Sequence, residues 1–175
     1  MKRFIYLIRH GEVNFLSRRL ELNERGRKQA ERLGRWMKEN YPVPNLICSS
    51  DRPRAIQTAK GILRGLKIKE DTGEVKLKID KRFQEFNFPV VATDSLKWRG
   101  KTEAVEQFIE AMTEYSKGRQ AVAIISHSNI IQYVLDKLFN LDRTNTPHTS
   151  FTAIEKQGKR LSIERLATVD HLMKA

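Results

Sequence analysis

The chain has 175 residues, 39% of them hydrophobic, with 33 Lys+Arg against 21 Asp+Glu for a formal charge of +12. That length fits a single domain, 1–175, with a sizeable core, and no stretch is biased enough in composition to stay unfolded. A lone cysteine, Cys48, excludes an intramolecular disulfide and a cysteine-based zinc cluster.

Met1-Lys2-Arg3 leads into the apolar run Phe4 to Ile8, which stops at Arg9-His10. The run is too short for the core of a secretion signal or for a membrane span, so a cytoplasmic protein is the expectation. Its unbroken apolarity predicts a strand buried on both faces. Asn23 can cap a helix reaching about Asn40, with Ala30, Leu33, Met37 and Tyr41 on one stripe. Leu46-Ile47-Cys48 reads as a short buried strand. A second helix follows with Pro53 in its first turn and Ala55, Ala59, Ile62, Leu63 and Leu66 facing inward.

Val75, Leu77 and Ile79 alternate with lysines, as in a half-exposed strand. Phe83 to Gly100 has no clear period and reads as a loop with short elements, after which Thr102 can cap a helix carrying Val105, Phe108, Ile109, Met112 and Tyr115. Ala121 to Ile125 is another buried strand, and Ser128 can cap a helix bearing Ile131, Val134, Leu135 and Leu138. Two strand-like runs, Ser150 to Glu155 and Leu161 to Leu166, turn at Gln157-Gly158-Lys159. Strands alternating with helices predict a layered α/β/α fold with a mostly parallel central sheet. The closing hairpin adds an antiparallel strand near the C-terminus.

In such sheets ligands bind at the carboxyl ends of the strands. Three predicted strands end in polar residues: Arg9-His10-Gly11, Ser49-Ser50-Asp51-Arg52-Pro53-Arg54, and Ser126-His127-Ser128. If those strands are neighbours, two histidines and at least two arginines meet on one rim. Arginine forks match phosphate oxygens, and imidazole can attack phosphorus or donate a hydrogen bond to it. Each residue alone reads as readily as structural. No HExxH or Cys/His spacing supports a metal, and Walker, GxGxxG and GxSxG patterns are absent. The basic residues are spread along the chain without a compact run of interleaved aromatics, so most read as solvated faces and nucleic acid is not the expected partner.

Leu7-Ile8-Arg9-His10-Gly11-Glu12 resembles the RHG signature of the histidine phosphatase (phosphoglycerate mutase-like) superfamily. Leu22-Asn23-Glu24-Arg25-Gly26 resembles its LTERG segment, and Ser49 to Ala59 its SSDLxRAxQTA pattern. Arg82-Phe83-Gln84-Glu85, Ile125-Ser126-His127 and Ser150-Phe151-Thr152 resemble its acid, second-histidine and C-terminal strand segments. The resemblance implies a short, phosphatase-type member needing no metal or cofactor. In it His10 is the nucleophile that becomes phosphohistidine, Arg9, Arg54 and His127 surround the phosphoryl group, and Glu85 is the proton donor. Two nearby guanidiniums should also favour neutral His10, expected to be half-exposed at its strand end.

The chain departs from the pattern in several places. The stretch between Gly11 and Leu22 is short, leaving Asn14 as the nearest candidate for a phosphate-binding asparagine. Ser128 stands where a glycine commonly follows the second histidine, which makes it a substrate-binding candidate, and Pro89 stands where a glycine often follows the acid. A surface carboxylate beside Arg82 is the other reading of Glu85. Only Phe86 to Gly100 is available to build a lid, so an open pocket is expected. Arg18, Arg19, Lys97, Arg99 and Lys101 could hold an anionic leaving group or be solvated. The implied substrate is a small phosphate ester or a phosphoprotein. The rival readings are a phosphoglycerate mutase and a non-catalytic basic binding protein on the same fold; oligomeric state is open.

Overall fold

Side-chain parity sorts the first apolar run between two cores. In strand β1 (Arg3–Arg9), Ile5 and Leu7 enter one hydrophobic cluster, while Tyr6 and Ile8 enter the other. All four are at most 1% exposed, as a central strand covered on both faces requires. The computed structural model describes residues 2–68, 75–86, 94–141 and 144–173, and of residues 94–101 the backbone alone.

Helix α1 (Glu24–Asn40) and α2 (Pro53–Leu66) cover the Tyr6 face, with Leu33, Met37, Ala55 and Ile62 in contact with it. Asn23 caps α1 as predicted, its side chain accepting from Gly26 N at 2.7 Å. Helix α3 (Asp94–Ser116) and α4 (Ser128–Phe139) cover the Ile5 face through Val105, Phe108, Met112, Ile131 and Val134. A Cβ at Gly65 would overlap the Glu31 carbonyl, so α1 and α2 approach more closely there than any side chain allows.

The sheet comprises β1, β2 (Leu46–Ser49), β3 (Lys76–Ile79), β4 (Ala121–Ser126), β5 (Phe151–Gln157) and β6 (Arg160–Thr168), in the order β3-β2-β4-β1-β5-β6. Pairs β2·β3, β2·β4 and β1·β4 are parallel, whereas β5 runs antiparallel to both β1 and β6. This is the expected α/β architecture, mostly parallel with an antiparallel C-terminal pair. Because β4 lies between β1 and β2, the three polar strand ends are neighbours. A short helix α5 (Asp170–Met173) closes the chain beside α1.

Three local expectations change. Helix α3 begins at Asp94, so Thr102 lies inside it instead of capping it, and the end of the expected loop with short elements belongs to this long helix. Its first turns carry Gly100 and no apolar stripe, which hides them from a periodicity reading. Residues 87–93, including Pro89 and much of the expected lid, lie outside the described residues. Val75 is buried, but Ile79 is 42% exposed, so the alternation of β3 does not carry to its end. Ser128 opens α4 without capping it; His127 holds the cap position, and a distant carboxylate takes the first N–H groups. No helix among the described residues is long and apolar enough to cross a membrane.

Candidate active site

The β1·β4 register aligns Arg9 with Ser126, and His10 N continues it by donating to Ser126 O at 3.0 Å. On the other side of β4, Ser50 N donates to Ile125 O at 3.1 Å. His10, Ser50 and His127 are thereby fixed as the first residues beyond three adjacent strands. The His10 and His127 rings stand edge to face with centroids 5.2 Å apart.

Thr58 and Gln57 of the Ser49 to Ala59 segment, with Gln29 of α1, hold the His10 loop. Gly11 N donates to Thr58 Oγ1 at 3.0 Å, Glu12 N to Gln29 Oε1 at 3.0 Å, and Leu22 N to Gln57 Oε1 at 2.8 Å. A Cβ at Gly26 would overlap the Glu12 backbone, so the first turn of α1 can press against this loop only as glycine.

His10 is 6% exposed, more buried than its place at a strand end suggests. Its Nδ1 lies 2.8 Å from Gly11 O, so Nδ1 carries the proton and Nε2 keeps its lone pair. Arg54 Nε donates to that Nε2 at 3.1 Å. Burial lowers the His10 pKa to about 3, with Arg54, Arg9 and His148 adding to the effect against the Gly11 carbonyl. The expected guanidinium effect is present, but burial is the larger cause.

His127 Nε2 lies 2.8 Å from Ser50 Oγ. We assign the Ser50 hydroxyl proton to this contact, with Ser50 Oγ also accepting from Arg52 N at 3.3 Å. With that assignment the ring proton of His127 is on Nδ1, which is buried with no partner among the described residues. Burial, followed by His10 and the arginines, lowers the His127 pKa to about 2, which leaves it neutral. Arg9 donates to Thr146 O at 2.7 Å and to His148 Nε2 at 3.2 Å, while its buried Nε–H also lacks a partner. Two buried donors without acceptors, beside a neutral imidazole lone pair, make a cradle for an anion bearing several oxygens.

Glu85 is the distant carboxylate at α4. Its Oε1 accepts from Phe86 N at 3.1 Å and Ile130 N at 3.2 Å, and its Oε2 from Asn129 N at 3.2 Å. Burial raises its pKa above the ordinary glutamate value, against the pull of these N–H groups and of Arg54. Arg82 pairs instead with Asp80 at 2.7 Å and Glu114 at 3.0 Å, so Glu85 is not its surface partner. Beside Glu85 a cavity of about 570 Å³ is lined by Arg18, Arg19, Arg52, Arg54 and Phe86.

The structure therefore brings together His10, Arg9, Arg54, His127 and Glu85. Asn14 is not gathered with them: it is exposed, and its Oδ1 accepts from Leu16 N at 3.0 Å within a turn. Ser128 Oγ is 2.8 Å from Thr146 Oγ1 and accepts from Gln132 at 3.1 Å, so it braces the Thr146 loop. Lys97, Arg99 and Lys101 have side chains outside the described residues. The sequence reading missed His148, whose ring centroid is 5.7 Å from that of His10. It sits in an aperiodic loop, and only the pairing of β5 with β1 brings it to the rim.

A model of the histidine phosphatase superfamily (branch 1) matches residues 5–104. Comparison with curated proteins gives no match. Among solved structures, a phosphoglycerate mutase from Bacillus anthracis str. Sterne superposes with TM-score 0.81 at 17% identity, covering 99% of this chain and 96% of its own. A mycobacterial glucosyl-3-phosphoglycerate phosphatase complexed with VO3 gives 0.70 at 16% identity, with 93% and 98% covered. The protein histidine phosphatase SixA complexed with tungstate gives 0.71 at 14% identity, with 97% and 99% covered. At these identities the likeness is one of fold.

Proposed function

Since the chain belongs to the histidine phosphatase superfamily (branch 1), we propose that it is a phosphomonoesterase working through a phosphohistidine on His10 without a metal. The observation that carries this reading is the neutral, Nδ1-protonated His10, whose Nε2 lone pair lies beside the unpaired donors of Arg9 and His127.

In the first half-reaction His10 Nε2 attacks phosphorus as the bond to the ester oxygen breaks. Arg54 passes its N–H groups from Nε2 to the phosphoryl oxygens, joined by Arg9 and His127 Nδ1–H. Glu85, protonated, gives its proton to the departing oxygen. In the second, Glu85 as carboxylate takes a proton from water, water oxygen attacks phosphorus, and the N–P bond breaks to return neutral His10 and release phosphate. Fixed cations aimed at the transferring oxygens supply the stabilisation a metal gives elsewhere, and two guanidiniums at that spot oppose a metal cation electrostatically.

The test is rapid quenching with a labelled phosphoester. Acid-labile, base-stable label on the wild type is expected, with turnover in His10→Ala below about 10⁻⁴ of wild type. Label on serine, or turnover surviving the substitution, overturns the nucleophile. With 3-phosphoglycerate as substrate, isomerisation outpacing phosphate release overturns hydrolysis as the reaction. Activity lost to a chelator overturns the metal-free mechanism.

A further inference from the structure

The cavity beside Glu85 is more basic than cradling one phosphoryl group requires. Arg9, Arg54 and His127 already surround His10, yet Arg18, Arg19 and Arg52 line the adjoining space as well. Among the described residues no carboxylate pairs with any of these three side chains. The one carboxylate lining the cavity, Glu85, is engaged with the N-terminus of α4. Uncompensated cations in a concave site call for an anionic occupant.

These arginines are held where a leaving group would lie. Arg54 and Glu85, the groups that would act on the transferring phosphoryl and the departing oxygen, form part of the same wall. Arg18 and Arg19 sit on a loop closed by its own bonds, with Asn14 N donating to Glu21 O at 2.8 Å and Leu20 N to Ser17 O at 3.0 Å. The Val13–Leu22 bridge and the Leu22 N bond to Gln57 pin that loop to α2. Arg52 occupies the N-cap position of α2 without making a side-chain cap bond. It stands where the motif recognised in the sequence carries leucine, so this cation is a departure of the present chain.

We infer that Arg18, Arg19 and Arg52 form a subsite for a second anionic group, phosphate or carboxylate, on the leaving group of a small phosphomonoester. The inference rests on the hydrolytic reading above. Guanidiniums bind either oxyanion through the same forked hydrogen bonds, and the volume of about 570 Å³ suits a small metabolite-sized ester.

The experiment compares three esters of matched chain length: propyl phosphate, 3-(phosphonooxy)propanoate and propane-1,3-diyl bisphosphate. The full-length protein should show kcat/KM at least about tenfold higher for one or both dianchored esters, and the margin should shrink as salt rises. Whichever ester leads identifies the anion. Arg52→Leu, and separately Arg18→Gln with Arg19→Gln, should bring the ratio to propyl phosphate close to one. The exposed loop pair keeps the test alive if the α2 substitution impairs folding. Equal kcat/KM for all three esters with turnover intact overturns the subsite alone, as does a preference that survives both sets of substitutions. A serine-phosphorylated peptide with neutral flanks outpacing the bisphosphate also overturns it. Absence of turnover and of His10 label with every ester overturns the hydrolytic reading instead.

Discussion

Two adjoining regions of the site are built differently. In the cradle, His10 and His127 are buried, His10 Nδ1 facing the Gly11 carbonyl and His127 Nε2 the Ser50 hydroxyl, with both pKa values pushed far below the usual histidine value. In the neighbouring cavity, Arg18 and Arg19 are exposed, Arg52 is half-buried, and no ion pair fixes any of them among the described residues. The cradle hangs on strand ends, where register dictates position to a fraction of an ångström. The cavity hangs on a loop and a helix start. Chemistry shared by many substrates suits the first kind of support, and discrimination among leaving groups suits the second.

Glu85 lies on the border, so its substitution tests the division most severely. Glu85→Gln should slow single-turnover departure of an alkyl leaving group by about 10²–10⁴-fold, the usual worth of a general acid. The loss should be much smaller for p-nitrophenol, which leaves as a stable anion. Its raised pKa also sets a pH limb: kcat/KM for alkyl esters should fall as pH rises through that pKa and the proton is lost. His10 at about 3 and His127 at about 2 stay neutral throughout and give no limb near neutrality. Substrate ionisation, near pH 6 for many esters, is common to wild type and variant, so only the limb absent from Glu85→Gln belongs to Glu85. Equal losses for both leaving groups would move Glu85 out of the acid role.

The contrast between the regions also explains what was legible in the sequence. Continuous apolar runs gave β1, β2 and β4, and helical stripes gave α1 and α2 with the Asn23 cap, because burial itself writes those patterns. The three strand ends could be paired as soon as the sheet order was assumed. The capping of α4 was not readable: its first N–H groups go to Glu85, 44 and 45 positions away, whereas the local serine turns toward Thr146. His148 was hidden for a similar reason, since no period runs through Asn145 to Thr149. The start of α3 was lost where its residues carry no apolar stripe. The first two misses are tertiary contacts overriding a local cue, and the third is a local pattern too weak to read.

Arg54→Lys should act on the cradle without regard to leaving group. An ammonium can replace the charge but not the fork that reaches both His10 Nε2 and the phosphoryl oxygens. Removing one preorganised partner of the transferring group costs on the order of 2.7–4 kcal/mol. We therefore expect kcat/KM about 10²–10³-fold lower, by the same factor for propyl phosphate and its relatives bearing a second anionic group. A loss confined to the esters bearing a second anionic group would assign Arg54 to binding the leaving group and blur the boundary drawn above.

The mildest substitution probes the cradle from behind. Ser50 touches no reacting atom in the proposed mechanism, but its hydroxyl, donating to His127 Nε2 as assigned above, keeps the ring proton on Nδ1. In Ser50→Ala the proton on Nδ1 can move to Nε2, leaving a lone pair facing the phosphoryl oxygens where a donor is needed. One neutral hydrogen bond is worth about 0.5–1.5 kcal/mol, so turnover should fall by roughly tenfold or less, equally for all leaving groups. Nitrogen chemical shifts of His127 give the separate readout: protonated at Nδ1 in the wild type, and shifted toward the Nε2-protonated form in the variant. A simple packing defect at this fully buried serine would lower thermal stability without exchanging the two nitrogens' shifts. If the shifts stay as in the wild type while activity drops, the cradle does not owe its donor to Ser50, and the tautomer must be held by the protein's field around His127, where His10 and the arginines already disfavour a second proton.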